Sequence, residues 1–174
     1  DLQGRKRGND EVQNSKGIVN GDERMAANPK VMTKRILSQT DHLSEVRDFI
    51  SAAAGEFGFT EEDIANIALA VDEACTNIIK HAYQNAPDKE IEISVIRSRG
   101  NFEVRIVDYG KKFDPTEIHP PDLRQNLAQH RRGGLGVYLM KRLMDKVEYS
   151  FQPGKHNEVR LVKYLQKSPS VARR

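Results

Sequence analysis

The sequence predicts an α/β (α+β) two-layer sandwich, in which a mainly antiparallel mixed sheet is covered on one face by three helices. The first observation is the order of the elements, which reads strand, helix, helix, strand, strand, long loop, helix, strand, strand. The second is that strands joined by short turns pair as antiparallel hairpins. The third is that amphipathic helices must bury their apolar stripes against another layer. The length of 174 residues is that of one domain.

The composition is typical of a globular protein with a hydrophobic core, since 37% of residues are hydrophobic and 30% are charged. The formal charge of +3 is mild and Trp is absent, so we expect no direct contact with nucleic acid. No apolar run approaches the roughly 20 residues that cross a bilayer, so we expect no membrane association. The single cysteine, Cys75, excludes an intramolecular disulfide framework, and the cytoplasm is the expected compartment.

We expect one folded domain, residues 29–166, between two tails. Residues 1–28 are polar and show neither a helical nor a strand period, which predicts a flexible N-terminal tail. Met25 within this segment is a candidate for the natural first residue. Residues 167–174 are predicted to fray at the C-terminal end.

The first half of the domain predicts one strand and two helices. The segment VMTKRIL, residues 31–37, is typical of a strand, and residues 38–58 carry apolar side chains at helical spacing. The second helix begins after Thr60, which is a good N-cap, and Asp63 follows three positions later as in an imperfect capping box. Pro87 is expected to stop this helix, because proline cannot continue one.

The second half predicts four strands and one helix. Apolar residues alternate in 89–98 and 101–110, and a short turn between them indicates a hairpin. Residues 111–132 lack a clean period and contain three prolines, and a loop of this length inside a domain is usually functional. Glycines then open the third helix, and residues 146–151 and 157–165 form the last two predicted strands.

The segment VDEACTNIIKHAY, residues 71–83, gives the second helix two faces. One face is an apolar stripe that includes Cys75, for which packing is the expected role because a free cysteine usually behaves as a small buried apolar residue. Glu73 and Asn77 lie four residues apart on nearly the opposite side, with His81 in line with them. Spacing alone leaves this side as a solvated face or as the floor of a site, and a site requires downstream residues that cover it.

Two downstream motifs are candidates for that cover. Asp108 ends a strand just before Gly110, and its carboxylate can accept a hydrogen bond from an exocyclic amine, although an Asp-x-Gly turn is the common alternative. Gly133, Gly134 and Gly136 open a helix whose N–H groups can face phosphate, with a flexible hinge as the alternative. The pattern is not a P-loop, because the Lys–Ser/Thr pair is missing.

Taken in this order, the helical E-x-x-x-N, the strand-end D-x-G, the long loop and G-G-x-G resemble the Bergerat-type ATP-binding fold of the GHKL superfamily. More closely, the sequence is similar to the bacterial anti-sigma factor serine-protein kinases, over about residues 31–165. The closest stretches are LAVDEACTNIIKHAY, VDYGKKFDP, RRGGLGVYLMKRLMDKVEY and NEVRLVKYL. The resemblance implies a protein serine/threonine kinase with ATP and Mg²⁺ as cofactors.

The resemblance also implies roles for matching residues. Asn77 would ligate the Mg²⁺ that bridges the ATP phosphates, and Glu73 would be the general base for the target hydroxyl. Asp108 would hold the adenine amine, and Gly110 would leave room for the ring. The loop 112–132 would be the ATP lid. Contacts to the phosphates would come from the backbone at the glycine run, Gly133, Gly134, Leu135 and Gly136.

Two further residues are expected to bind the cofactor, and each also has an alternative role. His81 extends the site-facing side of the helix, where capping or packing is the alternative. Arg132 lies in the expected lid and would meet the γ-phosphate, unless the basic run there is merely solvated. The sequence departs from the family at Lys112, which takes the second glycine position of D-x-G-x-G. It also has Asn157 and Glu158 where relatives often have Thr, and neither is assigned a role.

The resemblance implies partners as well as chemistry. The protein would sequester a sigma factor and would phosphorylate a small anti-anti-sigma partner of the STAS type, and relatives often pair as homodimers. One alternative is an ATP-binding regulatory module without phosphotransfer, which would not need Glu73. Another is a histidine-kinase-type catalytic domain, although the chain has no room for the helical dimerisation domain. A basic nucleic-acid binder would instead show steeply salt-dependent DNA binding without ATP.

Overall fold

The structure is a computed structural model that describes residues 29–112 and 135–166. Both predicted tails lie outside the described residues. So do almost all of the predicted lid and three of the predicted site residues, which are Arg132, Gly133 and Gly134. None of the helices in the described ranges is long and apolar enough to cross a membrane.

Five described strands form one sheet in which every neighbouring pair is antiparallel. They are β1 (Lys30–Leu37), β2 (Glu90–Ser98), β3 (Asn101–Asp108), β4 (Lys146–Gln152) and β5 (His156–Tyr164). Their order across the sheet is β1-β2-β3-β5-β4. Because β3 and β5 are neighbours, the end of the third strand lies opposite the start of the fifth, and Asp108 faces Asn157.

Within the described residues, three α-helices lie against this sheet, namely α1 (Leu43–Phe57), α2 (Glu61–Asn77) and α3 (Leu135–Leu143). A short 3₁₀ turn, Thr40–His42, precedes α1. The N-cap of α2 is the predicted one, since the Thr60 hydroxyl accepts a hydrogen bond from the backbone N–H of Asp63. Three helices on an antiparallel sheet confirm the predicted two-layer α/β sandwich.

The end of the second helix differs from the prediction of one regular helix up to Pro87. α2 ends at Asn77, and the chain continues as a π-helical turn, Ile78–Ala82. Gln84 and Asn85 then take left-handed conformations, with φ of 53° and 63°, and these stop the helix before the proline. The wider turn carries Ala82 towards the end of β3, where it meets the backbone of Gly110.

The core lies between the helices and one face of the sheet. The predicted apolar stripe of α2 points into it, and both Val71 and Cys75 are completely buried. From the sheet side, Phe102 packs against Phe57 and Phe59 with ring centroids 5.5 Å apart. Buried apolar residues alternate along β2 at Ile91, Ile93 and Val95 and along β3 at Phe102, Val104 and Ile106, as expected for a sheet with one covered face.

Candidate functional site

The side of α2 opposite the core meets the first turn of α3. A Cβ atom added to Gly136 would lie 2.5 Å from Oε2 of Glu73 and 3.7 Å from Nδ2 of Asn77. At 2.5 Å a side chain at this position would have to displace the end of the Glu73 side chain, so glycine allows α3 to approach the carboxylate without moving it. The structure therefore brings together three of the predicted site residues, and the side of α2 that carries them is covered rather than freely solvated.

The carboxyl group of Glu73 is half-buried in this contact, and its pKa is raised. Burial is the main cause, because it disfavours the charged form, and the negative charge of Asp72 acts in the same direction. Lys80 opposes the shift. A raised pKa makes the Glu73 carboxylate a stronger proton acceptor than a solvated glutamate, which is the property that a general base requires.

The side-chain Nδ2 of Asn77 is buried and has no hydrogen-bond partner among the described residues. The nitrogen and oxygen of such an amide exchange places by a half-turn, so the same position can present an oxygen. An amide oxygen is a suitable ligand for Mg²⁺, which commonly takes one or two ligands from the protein and the rest from phosphates and water.

The described residues contain no cluster of three or more His, Cys, Asp or Glu side chains that could hold a metal ion. A single amide ligand is sufficient protein coordination for a cation that takes its other ligands from phosphates and water. The donor set is compatible with Mg²⁺ bound together with a nucleotide.

Asp108 lies at the end of β3 and is only 3% exposed. Its Oδ1 accepts two hydrogen bonds, from the backbone N–H of Gly110 at 2.8 Å and from Nδ2 of Asn157 at 2.9 Å. Burial raises the pKa of the carboxyl, while these two bonds and nearby His156 oppose the shift. Both bonds go to one oxygen, so among the described residues Oδ2 keeps its capacity to accept a bond from a ligand amine.

Gly110 has a structural requirement that sequence reasoning did not find. A Cβ at this position would lie 2.5 Å from the carbonyl oxygen of Ala82, and the neighbouring Lys111 N–H donates to that same oxygen at 2.9 Å. The glycine thus permits the close approach of the π-helical turn to the end of β3. The expected role of Gly110 in leaving room for a ring stays a prediction.

Asn157 is the residue that sequence reasoning left unassigned. Its amide donates to Asp108 and also to the carbonyl of Gly110 at 3.1 Å, so it joins both members of the D-x-G motif. The pairing of β3 with β5 is the signal that could have identified Asn157, because this pairing places residue 157 opposite residue 108. The pairing partner of a strand cannot be read from a single sequence without a hairpin turn to fix it.

Asn77, Asp108 and Asn157 line one cavity between α2, α3 and the sheet, and Glu73 and Gly136 lie next to Asn77. Its walls are mainly apolar, with contributions from Ala74, Ile78 and Met140. Its polar groups include Asn77, Asp108, Tyr149 and Asn157. Apolar walls with a few placed polar groups are typical of sites for small organic ligands.

The predicted site residues Leu135 and His81 do not line this cavity. Leu135 begins α3 next to Gly136 and is partly exposed. His81 is exposed on the π-helical turn and is not among the residues that line the cavity. Lys112, in place of the family's second glycine, has its ammonium 4.9 Å from the ring centre of Phe151, which lines the cavity. Arg132, Gly133 and Gly134 lie outside the described residues.

The fold and this cavity agree with a domain of the histidine kinase-like ATPase class. Residues 36–163 match the family model of the histidine kinase-like ATPase domain. This span is well over half of the chain, and the chain belongs to that family.

The curated relatives narrow the similarity further. The chain is 34% identical over 134 residues to the serine-protein kinase RsbW of Listeria monocytogenes, an alignment that covers 75% of this chain and 85% of the relative. It is 31% identical over 145 residues to the serine-protein kinase RsbW of Bacillus subtilis, covering 81% of this chain and 89% of the relative.

A solved structure agrees in fold. The crystal structure of the RsbU and RsbW domains of a Mycobacterium tuberculosis protein matches with a TM-score of 0.58 and 16% identity. The match covers 80% of this chain and 33% of that one. At this identity the likeness concerns the fold alone.

Proposed function

We propose that this protein is an ATP-dependent serine/threonine protein kinase that also acts as an anti-sigma factor. The observation that carries the proposal is the contact of Gly136 with Glu73 and Asn77 beside a cavity that Asp108 closes. Family membership and the similarity to RsbW serine-protein kinases support it. The same reasoning makes the cytoplasm the proposed compartment and ATP with Mg²⁺ the proposed cofactors.

The chemistry divides between two ends of the site. At the cavity end, Asp108 would accept a hydrogen bond from the adenine amine through Oδ2, while Asn157 holds its other oxygen in place. At the end nearer α3, Asn77, which also lines the cavity, would contribute an oxygen to Mg²⁺, which neutralises phosphate charge when bound. The backbone N–H groups of Leu135 and Gly136, at the start of α3, would face the phosphates, because the first N–H groups of a helix have no partner within it.

Glu73 would carry the proton transfer. Its carboxylate would accept the proton of a Ser or Thr hydroxyl as that oxygen forms a bond to the γ-phosphorus. The bond between the γ-phosphorus and the bridging oxygen would break, and ADP would leave with the electron pair of that bond. Phosphoryl transfer depends mostly on positioning and charge neutralisation, so a base held one helical turn from the metal ligand is sufficient protein chemistry. The burial that raises the pKa of Glu73 favours this role.

The proposed protein partners are a sigma factor, which the protein would hold away from RNA polymerase, and an anti-anti-sigma protein of the STAS type. Phosphorylation would add about −1.5 to −2 charges to the second partner, which is enough to break an interface. Dimerisation through the sheet is a further proposal. A sedimentation experiment with and without nucleotide tests it, and a monomer under both conditions contradicts it.

The decisive experiment supplies Mg-ATP labelled at the γ-phosphate and a purified STAS-type protein. We expect label on a Ser or Thr of that protein, lost in Glu73→Gln, whereas Glu62→Gln is the matched control because Glu62 is an exposed carboxylate at the start of the same helix. Tight ATP binding without transfer to any candidate substrate would instead support a purely regulatory ATP-binding module.

The metal role has its own test. We expect Asn77→Ala to abolish Mg-ATP binding, measured by calorimetry, while its circular dichroism spectrum stays unchanged. Asn66→Ala, on the same helix, is the control for loss of an asparagine. Unchanged nucleotide affinity in Asn77→Ala would show that the orphaned amide has no part in binding.

A further inference from the structure

Buried polar atoms without partners are concentrated at the cavity. Within the described residues, three side-chain atoms are buried and have no hydrogen-bond partner: Asn77 Nδ2, Asn101 Oδ1 and Tyr149 Oη. Asn77 and Tyr149 both line the cavity. Most buried polar groups in native proteins are satisfied, so two unmet groups in one cavity indicate a ligand that satisfies both. Asn77 is part of the proposed site, whereas Tyr149 has no assigned role.

The fold places Tyr149 on the same side of the sheet as Asp108. Tyr149 pairs with Val159 across the β4–β5 ladder, and two residues further along Phe151 pairs with Asn157. Side chains two apart on a strand share a face, so Tyr149 and Phe151 form one wall of the cavity. The neighbouring Asn157 donates to Asp108, which connects this wall to the carboxylate.

The Tyr149 hydroxyl is a hydrogen-bond donor at physiological pH. Burial raises the pKa of this phenol to about 12, because the charged phenolate is disfavoured away from water. The cavity therefore offers an acceptor at Asp108 and a neutral donor at Tyr149. Adenine has the complementary pattern, since it carries an exocyclic amine as donor and unprotonated ring nitrogens as acceptors.

We infer that the Tyr149 hydroxyl donates a hydrogen bond to a ring nitrogen of the bound adenine and is a specificity-determining residue of the site. The inference rests on the proposed function, because it requires that the cavity takes the base of ATP. Adenine would then be recognised from two strands. Asp108 at the end of β3 would accept a hydrogen bond from the amine, and Tyr149 on β4 would donate one to a ring nitrogen. Guanine, which has a carbonyl in place of that amine, would face the Asp108 carboxylate with a second acceptor.

The test compares the wild type with Tyr149→Phe, which keeps the ring and removes only the hydroxyl. The probes are ATP and its 1-deaza, 3-deaza and 7-deaza analogues, each of which replaces one ring nitrogen by a C–H group. We expect Tyr149→Phe to weaken ATP binding about tenfold, as for loss of a buried hydrogen bond. One analogue is expected to bind the wild type about tenfold more weakly than ATP, and to bind the variant as well as ATP does.

A structural role for the hydroxyl predicts a different result. Because Tyr149 Oη has no hydrogen-bond partner among the described residues, its removal is expected to leave the unfolding midpoint unchanged or slightly higher. Tyr164→Phe, at an exposed tyrosine on β5, is the matched control and is expected to alter neither measurement. A lower midpoint in Tyr149→Phe together with unchanged preference among the analogues would overturn the inference.

The outcomes separate this inference from the proposed function. If the wild type does not bind ATP, both are wrong. If the wild type binds ATP, Asp108→Asn does not, and Tyr149→Phe binds ATP and all three analogues as the wild type does, only the role of Tyr149 is wrong. If Tyr149→Phe lowers the affinity for ATP and for all three analogues by the same factor, the result would also contradict a hydrogen bond to one ring nitrogen.

Discussion

The side-chain amide of Asn157 donates a hydrogen bond to Oδ1 of Asp108 over 2.9 Å, across the pair of strands β3 and β5. The same amide reaches the carbonyl of Gly110, so it fixes both the carboxylate and the turn that follows it. The bond stabilises the charged carboxylate against the effect of burial, and because it goes to Oδ1 it leaves Oδ2 able to accept a bond from a ligand.

We therefore predict that Asn157→Ala weakens ATP binding by about tenfold, because the Asp108 carboxylate loses a buried hydrogen bond and its orientation. Competition with a fluorescent ATP analogue measures the change. Ser150→Ala, at an exposed position on β4 of the same hairpin, is the control and is expected to bind normally. Wild-type affinity in Asn157→Ala would show that Asp108 needs no such support.

Local signals in the sequence were sufficient for most of the fold. The alternation of apolar residues located β2 and β3, and the cap at Thr60 located the start of α2, because each depends on neighbours within a few positions. The π-helical turn at Ile78–Ala82 could not be predicted in this way. It is accompanied by the close approach of Ala82 to Gly110, which lies 28 residues further along the chain by the numbering.

Those residues of the candidate site that share one helix face could be predicted from their spacing in the sequence. The residues whose position depends on the order of strands in the sheet could not. Glu73 and Asn77 share a face by their spacing alone, and the structure adds that Gly136 covers them. Tyr149 and Asn157 are ordinary strand residues in the sequence, and they reach the cavity only because β5 lies beside β3 and β4 lies beside β5. Their position follows from sheet topology, which no local pattern encodes.

The contact between Gly136 and Glu73 leads to a second prediction. In Gly136→Ala the new methyl group must displace the Glu73 carboxylate, which lies 2.5 Å from its position. A misplacement of about 1 Å can cost on the order of 100-fold in rate, so we expect a loss of that size in phosphoryl transfer. Rates of label transfer at saturating ATP measure it.

Gly55→Ala is the matched control for this change. Gly55 lies within α1, and a Cβ there meets only Ile64 Cδ1 at an ordinary 3.8 Å. Alanine is favoured over glycine inside a helix by roughly 0.5–1 kcal/mol, so this variant is expected to unfold at a higher temperature with unchanged activity. A Gly136→Ala variant that transfers phosphate at the wild-type rate would show that Glu73 accommodates the methyl group without consequence.

The raised pKa of Asp108 leads to a third prediction, about stability and pH. A carboxyl whose pKa is higher in the folded than in the unfolded protein favours folding at low pH, and this contribution is lost as pH rises through the folded pKa. At neutral pH the buried charge therefore lowers the free energy of unfolding. Asn at this position is neutral and keeps the Oδ1 that accepts bonds from Gly110 and Asn157.

We accordingly expect Asp108→Asn to lose nucleotide binding while becoming more stable at neutral pH. A gain of about 1 kcal/mol would raise the unfolding midpoint by roughly 2–4 °C in a domain of this size. Urea unfolding at neutral pH and at about pH 4 is the measurement, and the difference between variant and wild type is expected to narrow at the lower pH. If the variant is less stable than the wild type at neutral pH, the interactions of the Asp108 carboxylate in the folded protein outweigh the cost of burying its charge.

Cys75 supplies the fourth prediction, because it lies on the core side of α2 and is completely buried. Burial, with a smaller effect of Asp72, raises the pKa of its thiol to about 12, so almost none of the reactive thiolate exists at neutral pH. Native protein is expected to resist alkylation by iodoacetamide, and the slow reaction that occurs reports opening of the core. A cysteine placed at the exposed Ser150 is the control and is expected to react rapidly.

Glu73 and Asn77 lie on the opposite side of the same helix, so a ligand bound there must also slow the opening that exposes Cys75. A ligand at about 100 times its Kd stabilises the folded state by about 2.7 kcal/mol, which corresponds to roughly 100-fold slower alkylation if the opening is global. We expect this protection with Mg-ATP in the wild type and its absence in Asn77→Ala. Protection that is equal in both proteins would place the nucleotide elsewhere, and rapid labelling of the native wild type would show that the thiol is accessible.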